Sequence, residues 1–296
     1  MGHDSPERNS HKAAFVSQKS IESVNYQELL KIAHLAAHSA TELIYTNRPD
    51  AFRIEQKSSA TDHVTEMDLA SEELIRKVIA VHRPSDLVIG EETQAASAST
   101  HDLSSRVIWF VDPIDGTTNY VYDHPGYAVS IAAQIDGQTV AGVVADPTHG
   151  RTFSATVGGG AFCNSERLGP LPQAAQASHE LIATALVATG FSYSSDRRAR
   201  QGKVIAGLLP QIRDIRRMGS AALDLCSVAS GRVDAYFEVG LSAWDFAAGA
   251  LIAAEAGAEV GSIDPAADPS DGILAARPEL FSPLRELLGL LGADQV

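Results

Sequence analysis

Apolar residues return at helical spacing early in the chain. Leu29, Leu30, Ala33, Ala36, Ala37, Ala40, Leu43 and Ile44 form one stripe that ends before Pro49. Asn25 and Glu28 stand at capping-box spacing ahead of it. A second stripe opens at Thr65 and Asp68, runs through Leu69, Leu74, Ile75, Val78 and Ile79, and has Pro84 beyond its end. Both patterns predict amphipathic helices. The period then shortens. Leu87-Val88-Ile89 runs into Gly90-Glu91-Glu92, and the apolar run from Val107 to Val111 ends at Asp112. Each reads as a buried strand with carboxylates at its C-terminal end. Tyr127 to Ile135 and Thr139 to Val144, separated by Asp136-Gly137, predict a hairpin. Arg151 to Thr156 makes a further strand after the turn at Asp146-Pro147 and Gly150.

The second half alternates. Residues 181–187, 234–239, 258–263 and 272–276 read as strands, and 196–210, 219–230, 244–256 and 278–290 as helices. The expected division is a disordered tail over 1–22, an α+β half over 23–165 and an α/β half over 166–296. Residues 93–105, rich in Ala, Ser and Thr, read as a mobile surface loop. Without an internal repeat or a long linker, the halves are expected to share one cleft.

Composition narrows the classes. Of 296 residues, 45% are apolar but only 6% aromatic, which favours helices packed on sheet over an all-β sandwich. The net charge is -14, from 37 acidic against 23 basic residues, and such a surface repels a phosphate backbone, so no nucleic-acid partner is expected. A carboxylate cluster filled with divalent cations still presents a positive site to a small phosphate. Cys163 and Cys226 lack metal-ligand spacing and read as reduced core residues. The chain shows no secretory signal pattern and no apolar run near the roughly 18 residues of a membrane span, so a soluble cytoplasmic protein is expected.

The informative stretch is Trp109-Phe110-Val111-Asp112-Pro113-Ile114-Asp115-Gly116-Thr117-Thr118-Asn119. Asp, Pro and Gly are ordinary turn residues. Here, however, Asp112 and Asp115 lie three apart around a proline-stiffened turn, so both carboxylates and the Ile114 carbonyl can face one point. Hard divalent cations such as Mg²⁺ want oxygen ligands with open positions for water and phosphate. Gly116-Thr117-Thr118 would then open a helix whose backbone N–H groups point at an anion.

This stretch resembles the signature of the inositol monophosphatases, a family of lithium-sensitive, magnesium-dependent phosphatases. Gly90-Glu91-Glu92 is similar to the paired glutamates of that family, and Ala243-Trp244-Asp245-Phe246-Ala247-Ala248-Gly249 to its C-terminal signature. Arg217-Met218-Gly219-Ser220-Ala221-Ala222, Gly231-Arg232-Val233-Asp234-Ala235-Tyr236 and the Lys57-Ser58-Ser59…Asp62…Thr65…Asp68 region fit in order between and before them. The resemblance spans roughly residues 25 to 290. It implies a layered αβαβα sandwich of the inositol monophosphatase and fructose-bisphosphatase type, and a homodimer.

By position, the resemblance assigns one metal to Glu91, Asp112 and the Ile114 carbonyl. A second falls to Asp112, Asp115 and Asp245, and a weaker third to Glu91 with water, giving two or three Mg²⁺ per site. Gathering five carboxylates without cations is unfavourable through like-charge repulsion, which agrees with that assignment. Thr117 and Glu92, or Asp68, would hold the attacking water. Gly116 and Thr117 would contact the phosphate, Gly219, Ala221 and Glu238 the polyol ring, and Asp115 and Asp245 would be substrate-binding as well. The first half then carries the metal and water-activating residues, the second the substrate contacts and Asp245.

Asp-Gly-Thr-Thr-Asn is similar to the inositol monophosphatase form of the signature, which implies a small polyol monophosphate such as inositol 1-phosphate. Histidinol phosphate, fructose 1,6-bisphosphate and NADP are alternatives within the enzyme class, and a metal-binding regulatory module is the alternative outside it. His63, His124 and His149 read as turn residues without zinc spacing. Gly158-Gly159-Gly160 lacks the Lys-Ser/Thr of a P-loop and reads as a strand turn.

Overall fold

The computed structural model describes residues 24–56, 63–93, 107–171 and 178–296. The expectations for 1–22, for Lys57, Ser58, Ser59 and Asp62, and for the loop over 94–105 lie outside those residues. Helix α1 (Tyr26–Thr46) starts where Asn25 accepts the Gln27 N–H at 3.0 Å, and it buries the alanine-rich stripe read above. A short antiparallel ribbon follows, β1 (Ile54–Gln56) on β2 (His63–Thr65), so His63 is a strand residue and not a turn residue.

Helix α2 (Glu66–His82) opens with the Thr65/Asp68 capping box. The box turns Asp68 inward, and Leu69, roughly 100° further round, is left 48% exposed. The buried face is therefore Met67, Asp68, Ser71, Glu72, Ile75 and Ile79, rather than the Leu69-to-Ile79 stripe the sequence implied. Polar Ser71 and Glu72 are tolerated there because each is hydrogen-bonded.

The larger sheet has seven strands in chain order: β3 (Leu87–Gly90), β4 (Ile108–Asp115), β5 (Ala128–Ile135), β6 (Gln138–Asp146), β7 (Arg151–Thr156), β8 (Gly160–Cys163) and β9 (Glu166–Arg167), with one-turn α3 (Thr117–Val121) between β4 and β5. Strand β3 runs parallel to β4, and the rest is an antiparallel meander. Asp136 and Gly137, both at positive φ, make the two-residue β5–β6 turn that their sequence predicts.

The remaining elements are α4 (Ser178–Thr184), β10 (Leu186–Thr189), α5 (Ser195–Leu208), β11 (Asp214–Arg216), α6 (Ala221–Ala229), β12 (Ala235–Glu238), α7 (Ala243–Glu255), β13 (Glu259–Ser262), β14 (Ile273–Ala276) and α8 (Pro278–Leu290). They build a five-stranded mixed sheet in the order β11-β10-β12-β14-β13. The strand expected over 181–187 is instead the end of α4 followed by β10. A short apolar run has no period long enough to separate the two states.

Three apolar cores bind the layers. Leu29, Ile44 and Ile75 pack α1 and α2 against Trp109 and Ile131 on one face of the large sheet. Leu225 and Ile252 place α6 and α7 between its other face and Tyr236 of the small sheet. Leu208 and Leu284 bring α5 and α8 against Phe237 and Leu274 on the far side. The result is the expected αβαβα sandwich. The shared middle layer sets the C-terminal ends of β4 and β12 and the start of α7 beside one cleft. Among the described residues no helix is long and apolar enough to cross a membrane.

Candidate active site

Strand β4 does not stop at Asp112. It continues to Asp115, and the pairing with β5 shifts register between those two residues. A bulge at this point suits Pro113, which has no N–H to give, and it re-aims the carboxylates on either side. The Ile114 N–H closes onto Asp112 Oδ1 at 3.0 Å, and Ser71 Oγ donates to the Pro113 carbonyl at 3.2 Å. Gly116 then turns the chain at φ 96, where a Cβ would stand 2.8 Å from the Gly126 carbonyl oxygen. The helix expected after Gly116 is only one turn of five residues. What the chain offers there is local geometry, not a long helix dipole.

Thr117 is pinned rather than loose. Its Oγ1 lies 3.1 Å from Asp68 Oδ1 and 3.0 Å from the Ile114 carbonyl. Asp68 Oδ2 accepts from both the N–H and the hydroxyl of Thr65, at 2.8 and 2.6 Å. The helix cap of α2 and the threonine after the bulge are thus one buried network. Glu91 follows β3, its N–H bonded to the Val111 carbonyl at 3.1 Å. Asp245 caps α7, with Oδ2 on the Ser242 N–H at 2.6 Å. Asp115 Oδ2 accepts from Ser220 Oγ and from the Ala222 N–H, both at 2.7 Å.

The electrostatics record how closely these acids converge. Burial, then repulsion from Glu91, Asp115, Asp245 and Asp68, holds the Asp112 carboxyl well above its usual range. Burial pushes Asp115 up to about 6 against the pull of its Ser220 and Ala222 bonds. Asp68 is raised to about 6 by burial, partly offset by Thr65. Burial and Asp115 raise Asp245 well above the ordinary carboxylate range. Each acid resists ionising beside the others, and a cation is what reverses that preference.

Among the described residues no three of these side chains close on a single point as a finished metal cage. Asp112, Asp115 and Asp245 each have one carboxylate oxygen hydrogen-bonded to the protein and are repelled by their neighbours. The donor chemistry still fits a hard divalent ion, because Glu91, Asp112, Asp115, Asp245 and the Ile114 carbonyl offer only oxygens.

Above the cluster lies a cleft of about 530 Å³. Glu91, Asp115, Gly116, Gly219, Ala221, Glu238 and Asp245 line it. Asp68, Asp112, Ile114 and Thr117 are buried beneath it, linked to one another through the bonds above, and Glu92 stands on the loop after Glu91. Tyr236 donates its hydroxyl to Glu238 Oε2 at 2.7 Å, and burial raises that carboxyl to about 7.

Sequence reasoning missed Glu72, Ser220 and Asp224. Glu72 is four residues after Asp68, one turn further along the same buried face. Ser220 directly precedes α6 and is its N-cap. Asp224 sits in the first turn of α6 and lines the cleft. Asn119 is not a cleft-facing group: its Nδ2 donates to the carbonyls of Gly126 and Met218 at 2.8 and 2.7 Å. His149 pairs with Asp146 at 3.0 Å, outside the cleft. The Gly158–Gly160 turn does receive an anion, but it is the carboxylate of Glu255, bonded to the N–H groups of Gly158 and Gly160 at 2.8 Å each.

A sequence profile of the inositol monophosphatase family matches residues 25–290. Inositol-1-monophosphatase SuhB of Mycobacterium tuberculosis is 43% identical over 277 residues, covering 88% of this chain and 95% of the relative. The solved structure of Mycobacterium tuberculosis SuhB superposes with a TM-score of 0.73 at 40% identity, covering 90% of this chain and 98% of that one. The Nus factor SuhB of Escherichia coli is 43% identical over 232 residues, covering 77% of this chain and 83% of the relative.

Proposed function

The chain belongs to the inositol monophosphatase family, and from that premise we propose that it hydrolyses inositol 1-phosphate, or a closely similar small polyol phosphate, with Mg²⁺ as cofactor. It is a phosphoric monoester hydrolase. The observation that carries the finer reading is the buried set of mutually repelling carboxylates around Asp112, directly beneath a polar cleft.

Glu91, Asp112, Asp115, Asp245 and the Ile114 carbonyl would hold the metal. Bound there, Mg²⁺ supplies positive charge that lowers the pKa of water and offsets charge building on the phosphate. The chain's own residues do the rest. Thr117, fixed by Asp68 and Ile114, presents a hydroxyl in a single orientation for positioning the attacking water, and Glu92 would hold that water with it. Gly116 and Thr117 receive the phosphate at the turn after β4. Gly219 and Ala221 give the alcohol close access, and Glu238 accepts its hydroxyls. The same family reading extends to a homodimer in the cytoplasm.

Phosphate release from inositol 1-phosphate, histidinol phosphate, fructose 1,6-bisphosphate, adenosine 3′,5′-bisphosphate and NADP, with and without Mg²⁺, tests the proposal. Metal-dependent preference for inositol 1-phosphate supports it. Preference for another ester moves the error to the walls around Glu238. Similarity to a Nus factor favours one second reading, a role exerted through a partner. Cellular function that survives Asp112→Asn without turnover would support that reading.

A further inference from the structure

Most acids in the first turn of a helix face water, where the helix dipole favours them. Asp224 does not. It is 1% exposed, and its Oδ1 is buried with no hydrogen-bond partner among the described residues. An unpaired buried carboxylate oxygen is unfavourable, and native proteins rarely keep one without use. This one lies in the wall of the 530 Å³ cleft, together with Glu238 and Arg217.

Its position on α6 gives the oxygen a use. Ser220, the cap of that helix, donates to Asp115, next to the Gly116 turn proposed to receive the phosphate. Asp224 is four residues on, so it stands on the same side of the helix about 6 Å along the axis. That offset is close to the breadth of a six-membered polyol ring. Glu238, whose Oε2 is taken by the Tyr236 hydroxyl, lies near enough to repel it, and Arg217 partly offsets the repulsion. Two neighbouring carboxylates with acceptor capacity left over are matched by a ligand that brings two hydroxyl protons at once.

We propose that Asp224 is a specificity-determining residue, pairing with Glu238 to accept adjacent hydroxyls of a polyhydroxylated phosphate ester. The inference rests on the phosphatase reading above and adds the part of the substrate that is selected. A phosphate ester without hydroxyls gains nothing from Asp224, and an ester with a vicinal diol does.

The test compares kcat/KM for inositol 1-phosphate and phenyl phosphate in the wild type, Asp224→Ala and Asp224→Asn, with Mg²⁺ saturating. Asp224→Ala is expected to lose at least tenfold on inositol 1-phosphate, mainly through KM, and less than twofold on phenyl phosphate. Asp224→Asn keeps one acceptor and should fall between, so it decides the matter if the alanine variant does not fold. Equal losses on both esters would mean a packing role and overturn the inference, as would no loss on either. If the wild type ignores inositol 1-phosphate, the proposed substrate fails by itself. The same ratio is then read on the hydroxylated ester the enzyme prefers. If the wild type favours no hydroxylated ester over phenyl phosphate, or turns over neither, the inference falls.

Discussion

The backbone N–H of Glu92 donates to Glu72 Oε2 at 2.8 Å, across 20 residues of sequence. The same carboxylate accepts the Thr93 N–H at 3.2 Å, takes the Thr93 hydroxyl, and is held by Arg76 Nε at 2.8 Å. Gly90 makes this approach possible, because a Cβ there would collide with the Glu72 carboxylate. Glu72 is therefore a positioning residue for the Glu91-Glu92 loop. Asp68 and Glu72, on one face of α2, steady the two halves of the site from below.

Replacing Glu72 with Ala should lower stability by about 2–3 kcal/mol, short of the loss for a fully buried pair because Arg76 is partly exposed. A packing role alone would stop there. The positioning role adds at least a tenfold rise in the Mg²⁺ concentration for half-maximal activity, which Glu72→Gln should partly restore. Metal titrations of activity read this directly, and an unchanged Mg²⁺ requirement in Glu72→Ala would contradict it.

Asp112→Asn separates metal binding from folding. The carboxyl is buried and repelled by Glu91, Asp115, Asp245 and Asp68, so neutralising it removes a source of strain from the metal-free protein. The variant should melt higher than wild type in EDTA, show little or no rise in melting temperature on adding Mg²⁺, and lose nearly all turnover. A variant that is less stable in EDTA would mean that Asp112 mainly holds the fold through its Ile114 bond.

The helices, the hairpin and the carboxylate stretch were legible because they follow short-range rules, whereas the layered αβαβα order came only with the family resemblance. Periodicity exposed α1, α7 and α8, Asp136-Gly137 exposed a hairpin, and Asp112 to Asn119 carried a recognisable order of residues. What stayed hidden depends on distant partners. Nothing near Glu72 in sequence shows that Gly90 leaves it room, and nothing near Ser220 shows that Asp115 comes within 2.7 Å. The bulge after Asp112 is a consequence of pairing with β5, and Leu69 is exposed because a cap set the rotation of α2. Asn119 is the clearest case: its neighbours suggested the site, whereas its side chain holds two backbone segments together.

The raised acids fix the sign of the pH dependence. Asp68 titrates at about 6 against an ordinary 3.8, and Glu238 at about 7 against 4.5. Between those limits the folded chain binds more protons than the unfolded one. The stability these two groups contribute is therefore fullest below the ordinary values and is lost as pH rises through 6 and 7. In EDTA the melting temperature should fall between about pH 5 and pH 7.5 from these groups. Mg²⁺ favours the ionised cluster, so its stabilising shift should be larger at about pH 7.5 than at about pH 5. Calorimetric melts at the two pH values, with and without Mg²⁺, check both signs; a shift larger at low pH would refute the assignment of the cluster as the metal site.

Asn119 spans 99 residues to reach the Met218 carbonyl while also holding Gly126. Asn119→Ala leaves both carbonyls without that donor, and at about 1 kcal/mol per hydrogen bond the expected loss is about 2 kcal/mol in denaturant unfolding. Since Gly219 follows Met218 on the cleft wall, releasing the bond loosens the ring-facing side more than the Thr117 side. KM should rise several-fold with a smaller change in kcat, and the ranking of substrates in the phosphate-release panel should stay the same. A reordered ranking at unchanged stability would show instead that Asn119 touches the substrate. The Thr118-Asn119 pair would then be a selector in its own right.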